Sequence, residues 1–139
     1  MKTPLSPWRF VSFHQTEIEK LPNHTRHWYS RPGMVEDTNL LFVRAHFPPG
    51  EAHKFHHHPN MEEIIYILSG TAEEWVEDKM KIVGPGDAIY IPAGTVHATY
   101  NTGAETLEFL AILTPAQSAA PDTVDVSAEE PWKSLRAWK

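Results

Sequence analysis

Between residues 39 and 114 the chain is cut repeatedly by glycine and proline, and the runs between the cuts are short. Residues 39–47, 63–69, 71–77, 87–91, 96–101 and 106–113 are rich in β-branched and aromatic side chains. The punctuation is Pro48-Pro49-Gly50, Gly70, Gly84-Pro85-Gly86, Pro92-Ala93-Gly94, Gly103 and Pro115. No run carries a 3.6-residue period, so helices are not the main element. Many short strands separated by such turns read as an all-β sandwich or barrel. In the first run Leu41, Val43, Ala45 and Phe47 fall on one face, with Arg44 and His46 on the other.

Both flanks differ from this centre. Residues 1–38 are expected to supply strands that complete the barrel: residues 8–13 alternate apolar and polar, and Pro22-Asn23 and Arg31-Pro32-Gly33 mark turns. Residues 115–125, rich in Ala, Pro and Ser, read as an extended tail. Ser127-Ala128-Glu129-Glu130 has the form of a capping box, after which Trp132, Leu135 and Trp138 would line one side of a short helix. A helix this short is not stable alone and must dock.

The whole chain, 139 residues, is about one domain. Its net charge of −6 repels phosphate backbones and anionic lipid, so nucleic acid and membrane are poor partners. With no cysteine, disulfides, thiol nucleophiles and thiolate metal sites are excluded. The N-terminus has no apolar h-region and residues 64–68 are too short a stretch to span a bilayer, so a soluble, cytoplasmic protein is expected. Trp8, Trp132 and Trp138 lie outside the central strands, which leads us to expect a homodimer joined through the N-terminus and the tryptophan-rich tail.

Chemistry concentrates in the histidines. Four of nine fall between His53 and His58. On a strand, His56 and His58 project together and His57 projects the opposite way. A turn at Pro59-Asn60 then brings Glu62-Glu63 back near that pair. Imidazoles with a carboxylate suit a borderline divalent cation such as Fe, Mn, Ni or Zn. Taken alone, the triplet also reads as a solvated surface loop.

The wider pattern resembles the cupin superfamily, whose two motifs are G-(x)5-H-x-H-(x)3–4-E-(x)6-G and G-(x)5-P-x-G-(x)2-H-(x)3-N. Gly50, His56, His58, Glu63 and Gly70 match the first, and Gly86, Pro92, Gly94, His97 and Asn101 match the second. The resemblance implies a double-stranded β-helix, or jelly roll. It also implies that His56, His58, Glu63 and His97 hold one divalent metal ion inside the barrel. Glu62 in place of Glu63 would put Ser69 where the motif has Gly70, so Glu62 is expected on the rim. Asn101 is expected to bond backbone where its strand ends.

Around that set, Ile65 and Ile67 are expected to line the cavity and Tyr66 to pack on the opposite face. His53 reads as a rim residue, and Arg44 and His46 as a solvated strand face more than as an anion site. His14, His24 and His27 read as surface or hydrogen-bonded residues. No general acid or base stands out beyond the metal and its ligands. The resemblance points to a small metalloenzyme acting on an oxygen-rich organic molecule, of dioxygenase, isomerase, lyase or decarboxylase type. The alternative is a non-catalytic cupin that binds a sugar or small acid.

Overall fold

The structure, a computed structural model, describes residues 7–117 and 121–136. Eleven strands follow one another: β1 (Glu17–Lys20), β2 (Thr25–Ser30), β3 (Leu41–Phe47), β4 (Ala52–His57), β5 (Glu62–Ser69), β6 (Ala72–Val76), β7 (Lys79–Val83), β8 (Ala88–Ile91), β9 (His97–Tyr100), β10 (Leu107–Thr114) and β11 (Val124–Asp125). One helical turn, α1 (Trp132–Leu135), comes last. The strands form a six-stranded sheet in the order β1-β2-β3-β10-β5-β8 and a five-stranded sheet in the order β11-β4-β9-β6-β7. Every pairing is antiparallel, and the two sheets make the expected all-β double-stranded β-helix.

Register fixes which side chains face inward. β10 sets Leu107 opposite Phe47, Phe109 opposite Ala45 and Ala111 opposite Val43 on one side, and Phe109 opposite Ile67 and Ala111 opposite Ile65 on the other. Residues directly opposite one another share a face. These side chains therefore form one inner layer, which is the main core. Burying a side chain such as Phe47 or Ile67 stabilises the fold by about 1.5–3 kcal/mol relative to leaving it in water. The same register carries the inner face outward along the sheet, because Arg26 of β2 lies opposite Ala45 and Trp28 opposite Val43.

The five-stranded sheet is covered on both sides. Ala72 belongs to the main core, while Trp75 joins Phe55, Ala98 and Val126 in a second cluster on the outer face. Trp132 and Leu135 of α1 pack on that outer cluster, with the Trp132 ring 5.5 Å from Phe55. Arg136 fastens the end of the tail: its Nε bonds Glu73 Oε2 at 2.5 Å and its guanidinium lies 3.7 Å over the Tyr100 ring. Burial on both faces is why residues 71–77 show no clean alternation.

Several expectations need correction. Residues 8–13 are not a strand, since Trp8 and Phe10 are exposed without a neighbouring strand and Phe13–Gln15 form a short 3-10 turn. The N-terminal strands are β1 and β2 instead. The capping box does not form, because Ser127 bonds Asp125 Oδ1 at 2.6 Å and α1 starts after Pro131. Trp132 packs on its own barrel, and Trp138 lies outside the described residues. Among the described residues no helix is long and apolar enough to cross a membrane.

Gly70 shows why one motif position admits only glycine. It turns the chain from β5 into β6 at φ +78°, and a Cβ there would sit 2.7 Å from the Thr106 carbonyl oxygen.

Candidate metal centre

Strand pairing assembles the site. In the five-stranded sheet His56 of β4 lies opposite His97 of β9, which lies opposite Val76 of β6. One row further along, His53, Thr99 and Glu74 line up across the same three strands. Three residues of β4 thus span two of β9, an irregularity that puts both His53 and His56 on the inner face. His58 follows the end of β4, and Glu63 enters from β5 of the other sheet.

The ligand atoms offered by His56, His58, Glu63 and His97 lie within 4.8 Å of one another, and all four residues are buried. Each imidazole is held by its other nitrogen. His56 Nδ1 donates to the Lys54 carbonyl at 2.6 Å, His58 Nδ1 to the Asp122 carbonyl at 2.7 Å, and His97 Nδ1 to the Thr95 carbonyl at 3.0 Å. A carbonyl only accepts, so Nδ1 carries the proton and each Nε2 presents a lone pair to the common centre.

Glu63 Oε1 completes the set, 2.9 Å from His97 Nε2 and 3.3 Å from His58 Nε2. Neither Glu63 Oε1 nor His97 Nε2 has a formed hydrogen bond, although both are fully buried. Lone pairs facing a carboxylate at such distances are repulsive unless a cation sits among them. Three neutral imidazole nitrogens and one carboxylate oxygen fit a borderline divalent ion such as Fe, Mn, Ni or Zn.

Without a metal, protons compete for this centre. Burial, with the charges of His53 and His97, holds the His56 imidazole far below its ordinary range and hence neutral. Burial pushes His58 down and Glu63 up, but their mutual contact outweighs burial in both. His58 ends raised, and Glu63, with His97 contributing, falls to about 2.

A cavity of about 400 Å³ reaches this centre, with His53, His58 and Glu63 in its wall. Its apolar side comes from β3 and β10 (Leu41, Val43, Ala45, Phe47, Phe109 and Ala111), not from Ile65 and Ile67, which are buried in the core behind. Glu19, Arg26, Trp28 and Arg31 of the β1–β2 region complete the wall.

Other sequence readings resolve as follows. His53 is not a rim residue: its ring lies flat on His56, centroids 3.5 Å apart, and burial lowers it to about 3. Arg44 and His46 stay outside the cavity, but they are not simply solvated. Both bind Glu108 Oε1, at 2.7 and 2.8 Å, beneath the Phe13 ring. Glu62 is exposed, as expected of a rim charge. Tyr66 does lie on the outer face of its sheet, but it is exposed there rather than packed. Asn101 donates to the Phe47 and Glu105 carbonyls at 2.8 Å each, tying the end of β9 to β3 and β10.

Glu74 was missed altogether. It is a buried carboxyl inside the barrel, with one oxygen bonded by Thr99 and the other without a partner. Its signal was a pair of glutamates within an otherwise apolar strand, one of which must face inward.

Comparison with known proteins agrees with this architecture. A mannose-1-phosphate guanylyltransferase of Sinorhizobium fredii is 31% identical over 108 residues, covering 78% of this chain and 21% of that protein. An oxalate-binding protein of Thermotoga maritima is 37% identical over 73 residues, covering 52% of this chain and 60% of that protein. The chain thus spans about a fifth and three fifths of these relatives. Among solved structures, a predicted oxalate decarboxylase from Thermotoga maritima superposes with a TM-score of 0.66 at 28% identity, over 77% of this chain and 99% of the other. Residues 43–113 match the family model described as a cupin domain, and the chain belongs to the cupin family.

Proposed function

We propose that His56, His58, Glu63 and His97 hold one divalent metal ion, and that the chain is a small metalloenzyme acting on an oxygen-rich organic molecule. The observation that carries this reading is the cavity: it opens onto His58 and Glu63, so a ligand can reach the metal position. When bound, a divalent ion with free coordination positions supplies Lewis acidity, or a dioxygen site if it is iron. The protein's own residues do the rest. Backbone carbonyls hold the three Nδ1 protons, which aims each Nε2 at the metal position, and Glu63 supplies the one ligand charge. The β3 and β10 wall excludes water around a ligand's carbon skeleton. A chelating carboxylate, hydroxyl or carbonyl group is the natural head for such a site. Its chemistry would be oxidation, isomerisation, elimination or decarboxylation beside the chelated group.

A second reading, a non-catalytic metal-dependent binder of a sugar or small acid, is favoured by the likeness to the oxalate-binding protein. The two separate in one experiment. Metal-free protein is reloaded with Mn, Fe, Ni or Zn and incubated with a panel of hydroxy acids, keto acids and sugars, with consumption followed by NMR. Metal-dependent consumption of a member supports the enzyme. Saturable binding with no consumption under any metal leaves the binder.

We also propose a homodimer. Its support is the outer face of the six-stranded sheet, where Ile64, Tyr66 and Tyr90 are exposed beside Leu110, Ile112 and Phe42. A contiguous apolar patch of this kind marks an interaction site. A sedimentation mass near 15.8 kDa at micromolar concentration would rule it out.

A further inference from the structure

We infer that Arg26 forms an anion subsite in the cavity, so that the ligand is a small acid carrying a second negative group beyond its metal-chelating head. The inference rests on the metal-chelation reading above and names the class of molecule that reading leaves open.

Arg26 faces inward because β2 sets it opposite Ala45, a core residue of β3. Its side chain lines the same cavity as His58 and Glu63 and is 27% exposed, so it is partly withdrawn from water. The decisive contrast is with the other arginines. Arg31 makes two hydrogen bonds to Glu17, at 2.8 and 3.0 Å, and its guanidinium lies 4.9 Å over Trp28. Arg44 is engaged by Glu108, and Arg136 by Glu73. Among the described residues Arg26 reaches only Glu19, at 3.6 Å, beyond hydrogen-bonding distance. That Glu19 oxygen is already taken by the Trp28 indole N–H at 3.1 Å. Arg26 therefore offers a fork of donors, unspent, over a cavity wall.

The rest of the wall says what such a fork would meet. The formal charges around the cavity are Glu19, Glu63 and Asp122 against Arg26 and Arg31, and Arg31 is neutralised by Glu17. A divalent ion on Glu63 offsets the remaining carboxylates, so an incoming anion is not repelled. The β3 and β10 side of the wall is apolar, with the His53 imidazole beside it, and a cavity of about 400 Å³ is within the range of small-molecule sites. A molecule with an oxygen-chelating head, a hydrocarbon or aromatic body and a carboxylate or similar anion at its far end complements all three zones. A planar guanidinium binds such a group through two parallel hydrogen bonds.

The test uses the full chain loaded with zinc and two matched probes, 2-hydroxyhexanoate and 2-hydroxyadipate. Both carry the same chelating head and differ in whether the tail ends in methyl or carboxylate. Calorimetric titration should show the diacid binding about tenfold tighter or more, the scale of a charge-assisted hydrogen bond. Arg26→Gln should remove that preference while leaving zinc per chain and the affinity for 2-hydroxyhexanoate unchanged. Arg26→Met, which keeps the apolar stem, should do the same and serves if the first variant does not fold. Arg31→Gln should keep the preference. Equal affinity of the two acids for the unsubstituted protein, or a preference that survives loss of Arg26, overturns the inference and leaves the chelation reading standing. Failure of both acids to bind the zinc-loaded protein overturns the chelation reading, and the subsite with it.

Discussion

Thr99 donates its hydroxyl to Oε1 of Glu74 at 2.5 Å, while Oε2 of the same carboxyl is buried without a partner. Burial raises Glu74 well above the ordinary carboxylate range; the Thr99 bond opposes this and the charge of Glu63 adds to it. Burial thus favours the protonated form of Glu74 in the folded barrel.

The sign of its effect on stability follows from linkage. Below the ordinary carboxylate pKa the group is neutral in both states and costs nothing. Above it the unfolded chain ionises while the folded one does not, so stability falls as pH rises toward the folded pKa. Glu74→Gln removes that loss. In metal-free protein the melting temperature of the variant should gain on the parent as pH rises from about 4.3 to neutrality, the interval that begins at the ordinary glutamate value. A gap independent of pH would mean Glu74 is ionised in place.

The proposed ligands make a substitution pattern that strand geometry alone predicts. His56→Ala, His58→Ala, Glu63→Ala and His97→Ala each remove a donor from the cluster and should abolish stoichiometric metal. His57 pairs with Val124 of β11 and lies outside the donor cluster. His57→Ala and Glu62→Ala should keep metal, at a stability cost within about 1 kcal/mol. Metal per chain, measured by mass spectrometry on untagged protein, decides it. Loss in His57→Ala with retention in His58→Ala would shift the assignment by one residue.

Acid should release the metal. His58 is raised in the metal-free fold, so its own contribution to stability is present below about pH 6.5 and fades as pH rises through its folded pKa. Metal replaces that proton, so its advantage grows with pH. At one hundred times its dissociation constant a bound ion adds about 2.7 kcal/mol. The melting-temperature gap between loaded and metal-free protein should shrink from about pH 7.5 to about pH 5, across the titration of imidazole. Metal content unchanged over that interval would argue against histidine ligation.

Arg136 offers a test of the tail independent of the site. Arg136→Ala leaves the buried Glu73 carboxylate with the Trp75 indole N–H but without its cation, strips the cation from Tyr100, and should cost about 1–3 kcal/mol. Metal per chain should not change, since Glu73 faces away from the donor cluster. A drop in metal would show that the outer cluster is coupled to the inner one.

The site was legible in the sequence for a physical reason. His56, His58, Glu63 and His97 stand at the fixed positions of the two cupin motifs, whose resemblance implied the set, while the histidine spacing alone left a surface loop open. Arg26, His53 and Glu74 could not be placed that way. Arg26 enters the cavity because β2 pairs with β3 so that Arg26 meets Ala45 across eighteen intervening residues, and neither partner announces the other. His53 faces inward only because β4 carries an extra residue before His56, which breaks the two-residue alternation. Residues 8–13 misled in the opposite direction, since alternation without a neighbouring strand to bond makes no sheet.

His58 is aimed by a backbone carbonyl from Asp122, 64 residues downstream and outside both motifs. Any residue at position 122 except one that distorts the backbone would supply that carbonyl, so this part of the aim is encoded in the path of the chain, with the Thr123 hydroxyl 3.3 Å from the same nitrogen beside it. Insertions, deletions or exchanges in the segment after β10 should thus alter the proposed metal site while every proposed ligand stays in place. Two chains with identical motifs but different tails need not favour the same ion, and the tail is where an engineer would look first to change it.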